Sequence, residues 1–272
     1  TSTGVFLLLR FGLAAAALAL VVLWRRDRPT RPLLRHGALL GLAMFAGFAL
    51  QTLGLRSTTP ARSGFLTGMS VLIVPFLARM LFGRRVRASA WGGVVLAVTG
   101  LFLLTRPFAT DLSAETRFGD LLTAGCAFAN AFQIIYTSEW SRRYPLALFT
   151  LVQVATTLAL VPVLLPLEPL RLAASPALAW TVLYLGLVMT ALAFFVMNWG
   201  QRHTTAVRAA LIFSLEPVAA ALFSHLVGGE PLLAYDWAGG ALIVAGVISG
   251  EVGGAFEARQ RAAAAPGPAV DR

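Results

Sequence analysis

Residues 58–62 read TTPAR and residues 204–208 read TTAVR, 146 positions apart. Sliding the chain against itself by that offset pairs 58–105 with 204–251 without a gap. Ten of the 48 positions match: Thr58, Thr59, Arg62, Gly83, Ala88, Trp91, Gly93, Leu96, Val98 and Gly100 face Thr204, Thr205, Arg208, Gly229, Ala234, Trp237, Gly239, Leu242, Val244 and Gly246. The chain contains an internal repeat, and what kind of repeat depends on the solvent in which it folds.

That solvent is a bilayer. Mean hydropathy is +0.77, and 58% of the 272 residues are hydrophobic against 12% charged, where soluble domains carry about 25% charged residues. Apolar runs of spanning length, about 20 residues each, fall near 4–23, 37–55, 60–82, 88–105, 118–138, 145–166, 177–199, 204–227 and 236–253. None alternates with period 2, so the runs are helices and not barrel strands. The fold class expected is an all-α polytopic membrane protein with nine spans. The tail EARQRAAAAPGPAVDR has no apolar face and is expected to be disordered. Single Cys126 cannot form an intramolecular disulfide or build a thiol metal site.

The net charge of +10 would suggest nucleic acid in a soluble protein, but here it reports topology. One set of loops and the tail carry fourteen arginines: Arg25, Arg26, Arg28, Arg31, Arg35, Arg84, Arg85, Arg87, Arg142, Arg143, Arg202, Arg259, Arg261 and Arg272. The other side has five, Arg56, Arg62, Arg106, Arg117 and Arg171, with most of the loop carboxylates. By the positive-inside rule the first set is cytoplasmic.

The helices at 60–82 and 204–227 are an odd number of spans apart and must run in opposite directions, so the repeat is inverted. Inverted repeats are a transporter device, since rocking one half against the other exposes a central site to each side in turn. Subtracting 146 from 118–138 gives positions before residue 1, and the chain begins with Thr. A further helix of about 20 residues is expected upstream, making a 5+5 repeat of ten. The repeats are placed at 1–107 and 116–253, with a cytoplasmic tail at 254–272.

The pieces LLLRFGLAA, TTPARSGFLTGMSVLIVPFLARMLFGRR followed by WGGVVLAVTGLFLL, and TTAVRAALIFSLEPVAAALFSHLVGGE followed by WAGGALIVAGV resemble the EamA transporters of the drug/metabolite transporter superfamily over nearly the whole chain. The resemblance implies a ten-helix inverted repeat with both termini cytoplasmic, carrying amino acids or other small metabolites. Where many members carry Gly-Glu-Arg in the first repeat, this chain reads FGRR, so Arg84 replaces the Glu and no role for it carries over.

Glu216 is the only carboxylate deep in a span. A charge there costs roughly 2.5–3.5 kcal/mol on insertion scales, so it faces protein or water: either it meets a substrate amine or a proton, or it bonds to a neighbouring helix. Pro217 removes a donor and is expected to kink the helix by freeing the Phe213 carbonyl. The offset pairs Glu216 with Ser70. Asn130 and Gln133 share one helix face and either line a cavity or bond between helices. Phe65, Phe194, Phe213 and Thr190 complete the expected lining. Gln51 and Asn198, near helix ends, fit gates, as do Arg62 and Arg208, which also suit headgroup anchors. Arg10 is expected to snorkel to the interface. Gly64 and Gly68 form a GxxxG packing motif.

The function expected is a secondary transporter moving amino acids, other small metabolites or drugs across the bacterial inner membrane by alternating access, as an exporter. A flippase of a lipid-linked intermediate is the alternative. A polytopic enzyme would need clustered carboxylates for Mg²⁺ or a His nucleophile, and only Glu216 is available at depth. No cofactor, metal or nucleic-acid partner is expected. The partners are a small-molecule substrate and membrane lipid; a homodimer is allowed and not required.

Overall fold

The computed structural model describes residues 1–83, 86–107, 114–167, 169–229 and 231–263; the side chains of 114, 167 and 254–263 are left aside. Arg84, Arg85, Glu230 and the tail residues 264–272 lie outside the described residues. The protein is 85% helical, as hydrocarbon requires of a chain whose peptide groups must bond within their own segment.

The helices are α1 (Thr3–Arg25), α2 (Arg31–Gly54), α3 (Pro60–Gly68), α4 (Ser70–Phe82), α5 (Ala88–Thr105), α6 (Ala114–Trp140), α7 (Leu146–Leu160), α8 (Pro176–Leu183), α9 (Ala193–His203), α10 (Ala206–Phe213), α11 (Glu216–Gly228) and α12 (Ala234–Ala263). A π-helical stretch, Tyr184–Leu192, joins α8 to α9. Among the described residues, eight helical stretches are long and apolar enough to cross a membrane. The ninth expected span, 236–253, lies in α12, whose side chains are described as far as Gly253. α12 also continues to Ala263, so the chain stays helical ten residues past the boundary expected for the tail.

Contacts divide the chain into two compact units, Thr1–Thr59 with Leu112–Ala206, and Pro60–Asp111 with Val207–Arg272. The first has two apolar cores. One joins Leu7, Phe11, Ala14 and Leu18 of α1 to Met44, Val154, Val161 and Ala191. The other joins Leu33 and Leu40 of α2 to Ala147, Leu148 and Phe149 of α7.

The second unit holds both copies of the repeated stretch, and their local structures correspond. α4 and α11 begin and end 146 positions apart, and α5 starts at Ala88 where α12 starts at Ala234. Each copy tightens its spanning helix at the same place, with i→i+3 hydrogen bonds at Met69 in one and at Ser214–Leu215 in the other, while Pro60–Phe82 and Ala206–Gly228 each stay one 23-residue span. Each then closes its second half-helix on a left-handed glycine, Gly83 at φ +61° and Gly229 at φ +70°, a conformation open to Gly at little cost.

α5 and α12 meet backbone to backbone. A Cβ added to Gly93 would stand 2.5 Å from the Gly246 carbonyl oxygen, and one on Gly246 would stand 2.6 Å from the oxygen of Gly93. Gly100 and Gly239 oppose each other in the same reciprocal way. Contact order reverses between the two pairs, so the helices run antiparallel. Since 93 is equivalent to 239 and 100 to 246, each glycine touches the counterpart of its mate, the self-complementary pattern a twofold axis produces. The GxxxG motif is used only in part: Gly68 admits the Leu101 side chain, whereas a Cβ on Gly64 would meet open space.

Gly93→Val and Gly246→Val should each lower the unfolding temperature, since overpacking costs about 1–3 kcal/mol and neither backbone can retreat. Gly92→Val, whose Cβ meets nothing within 4 Å, is the control. Equal tolerance in thermal melts of the three variants would overturn the account of the α5/α12 contact.

Candidate functional site

The expected site residues divide between the two units. In the second unit, Ser70 and Glu216 are the first residues of α4 and α11, immediately after the two tightened turns. In the second copy the Ser214 amide bonds to both the Ala210 and Leu211 carbonyls (3.1 and 3.2 Å), and Leu215 N–H turns to Ile212 (3.1 Å). Pro217 offers no N–H to continue the ladder from Phe213. The expected kink is a tightened turn in a helix that continues, Leu215 keeping right-handed helical dihedrals (φ −74°, ψ −15°). The first copy tightens without a proline there: Met69 N–H is shared between Phe65 and Leu66, and Met69 carbonyl accepts from Leu72 and Ile73.

Among the described residues no hydrogen bond or ion pair reaches the Glu216 carboxylate, and its side chain is exposed within the described chain. The alternative of a carboxylate tied to a neighbouring helix finds no support in this geometry. Phe213 and Phe65 are half-buried, and Phe65 packs edge-on against Phe102 at 5.9 Å.

Arg62 is not a headgroup anchor. It is 4% exposed and its Nη1 donates to the Pro107 carbonyl at 2.8 Å, tying the start of α3 to the end of α5. Its counterpart Arg208 does the equivalent task in the second copy, with Nε 3.5 Å from the Glu251 carboxylate in α12. The matched pair in the repeat thus latches each of these helices to the helix that follows.

In the first unit, a buried polar seam joins α9 to α6 and α7. Ser138 Oγ donates to Gln201 Oε1 at 3.2 Å, and Asn198 Nδ2 donates to Thr150 Oγ1 at 2.9 Å. Thr150, Gln153, Asn198 and Gln201 are each at most 1% exposed. Gln133 Nε2, Thr137 Oγ1, Ser141 Oγ, both ends of the Gln153 amide, Asn198 Oδ1 and Gln201 Nε2 have no hydrogen-bond partner. Buried polar groups are overwhelmingly paired, so these orphans, on and beside the same three helices, depart from a packing role. Gln153, Gln201, Thr137, Ser138, Ser141 and Thr150 were absent from the sequence expectation. Their signal was present as the stripe Gln133, Thr137, Ser141 at i, i+4 spacing and the pair Asn198, Gln201 at i, i+3.

Asn130 lies apart from the seam. Its Oδ1 would be 2.9 Å from a Cβ on Gly47 of α2, and its Nδ2 points 3.6 Å to Cys126 Sγ. It packs α6 on α2. Phe194 packs against the α1 core, Gln51 is half-buried near the end of α2, and Thr190 is fully buried and hydrogen-bonded to Arg10.

A family model described as the EamA-like transporter family matches residues 1–106 and 117–249. The chain belongs to that family. An uncharacterized transporter of Archaeoglobus fulgidus is 28% identical over 214 residues, covering 79% of this chain and 68% of the relative. The uncharacterized transporter YyaM of Bacillus subtilis is 25% identical over 259 residues, covering 88% and 81%. A crystal structure at 20% identity superposes with a TM-score of 0.81 over 92% of this chain and 89% of the other, which establishes the EamA chain's fold. The protein is accordingly a multi-pass membrane protein of transporter type.

Gln153→Leu tests the seam. Replacing an unpaired buried amide with an apolar group of similar size removes its desolvation penalty, so the unfolding temperature should hold or rise. If the seam works in transport, substrate flux per folded molecule should fall in the same preparation; a variant that loses stability would show that Gln153 is a packing residue after all.

Proposed function

We propose that this EamA-family protein is a secondary transporter of amino acids or other small metabolites and drugs, working by alternating access in the bacterial inner membrane and exporting its cargo. The observation that carries the reading is Glu216, an ionisable residue at a tightened turn of a membrane span, beside a proline that removes one backbone donor and with no hydrogen bond or ion pair to its carboxylate among the described residues. An ionisable group in hydrocarbon is tolerated where water, protein or cargo meets it.

Glu216 and Ser70 make the two turns chemically unequal. A substrate ammonium or a proton would neutralise the Glu216 carboxylate, while Ser70 offers a neutral hydroxyl at the equivalent point. The reciprocal glycine contacts of α5 and α12 support a local twofold, which is the symmetry an inverted 5+5 repeat requires. With the arginine-rich loops on the cytoplasmic side, the termini of the intact protein would lie in the cytoplasm. Among the described residues no group of three His, Cys, Asp or Glu gathers to hold a metal.

Glu216→Gln in liposomes is the decisive variant. The amide is isosteric and cheaper to bury, so stability should stay within about 1 kcal/mol while flux of a labelled panel of amino acids and metabolites drops at least about tenfold. Full flux at unchanged stability would remove Glu216 from the mechanism.

A further inference from the structure

Arg10 is the eighth residue of α1, about 10 Å along the axis from the helix start at 1.5 Å per residue. It does not snorkel outward. Its Nε donates sideways to Thr190 Oγ1 at 2.7 Å, and its guanidinium carbon lies 5.8 and 5.6 Å from the ring centroids of Phe11 and Phe48. Those two rings are themselves locked edge-to-face at 5.3 Å. Thr190 is held in turn: its hydroxyl donates to the Leu185 carbonyl at 2.7 Å, five residues back, closing a turn of the π-helix. A π-helix in a membrane span is uncommon and tends to mark a functional position.

The charge has no partner. Among the described residues, neither Nη of Arg10 is hydrogen-bonded, and the described carboxylates of this unit are committed or outlying. Asp27 lies 4.0 Å from Arg25, Asp120 accepts from Thr58 at 2.6 Å, Glu139 pairs with Arg143 at 2.8 Å, and Glu115 is exposed at the start of α6. A cation at this depth that lacks an internal counter-charge needs one from outside the protein. With Nε taken by Thr190, the side-on edge of the guanidinium is blocked and the end-on pair, Nη1 and Nη2, stays open. That pair matches the two oxygens of a carboxylate in a bidentate contact.

We propose that Arg10, aimed by Thr190 and the Phe11/Phe48 pair, is an oxyanion-binding fork that takes the carboxylate of the cargo. The proposal rests on the transport reading, because it names a chemical class of cargo, but binding can be measured without flux. Thr190 is the positioning residue. Phe11 is fully buried, and half-buried Phe48 is the ring that stands open beside the fork, which favours a carboxylate carried on an apolar body.

Sodium phenylacetate and its neutral isostere phenylacetamide are the probes, read by thermal unfolding of the purified protein in nanodiscs of phosphatidylcholine alone. Phenylacetate should stabilise the wild type and phenylacetamide should not. Arg10→Lys keeps the charge but loses the fork, and should weaken the acid at least about tenfold, with Thr190→Val intermediate. Equal stabilisation by acid and amide, no stabilisation by the acid, or undiminished binding in Arg10→Lys would each overturn the fork. The first two need only the wild type and so survive a variant that fails to fold. Adding phosphatidylglycerol separates the sources: protection by that lipid in the absence of any carboxylate effect would assign the fork to headgroups and overturn the cargo site. Carboxylate binding without flux of any labelled acid in liposomes would instead leave the fork standing and sink the transport reading.

Discussion

A peptide group in hydrocarbon has no water to bond, and this constraint shapes the whole chain. It forces nearly every residue into helix, and it makes each departure from regular helix informative. Among the described residues the departures inside spans are the tightened turns at Met69 and Ser214–Leu215, the 3-10 stretch Val161–Leu167 and the π stretch Tyr184–Leu192. The two turns and the π stretch each stand beside a polar or ionisable side chain, Ser70, Glu216 and Thr190 respectively. In a soluble protein such irregularities would be routine. At membrane depth they persist only where protein, water or ligand satisfies the groups they expose.

The same constraint changes what holds helices together. Lipid is as apolar as leucine, so helix pairs gain little from burying apolar area and rely on close approach and polar contacts. Both devices occur here, in different units. α5 and α12 use glycine to bring backbones together, while α6, α7 and α9 use hydroxyls and amides, among them Ser138 to Gln201 and Asn198 to Thr150. The glycine contact is fully used. The seam is not, since both ends of the Gln153 amide remain unpaired, and packing alone does not account for such a residue.

Fold was legible because its signals are periodic or repeated. Spans follow from run length, and the offset of 146 marked positions that prove to have structural tasks. Of the matched glycines, Gly83 and Gly229 cap half-helices, and Gly93, Gly100, Gly239 and Gly246 form the α5/α12 contact. The matched Arg62 and Arg208 are latches. The site was less legible, because its geometry is tertiary. Nothing in LLLRFGLAA says that Arg10 is held sideways by a residue 180 positions away, so depth alone suggested snorkelling. The tightened turn in the first copy carries no proline to mark it, and the seam is dispersed over three helices as ordinary threonines, serines and glutamines.

What the repeat retains and what it lets drift differ in kind. Glycines at contacts and caps are matched, as are the latching arginines, whereas Ser70 faces Glu216 across the offset. A duplicated scaffold must keep the residues that set backbone approach, because any Cβ at Gly93 or Gly246 meets a carbonyl oxygen in the other copy. No such steric coupling ties the chemistry of one copy to the other, so ionisable groups are free to appear once.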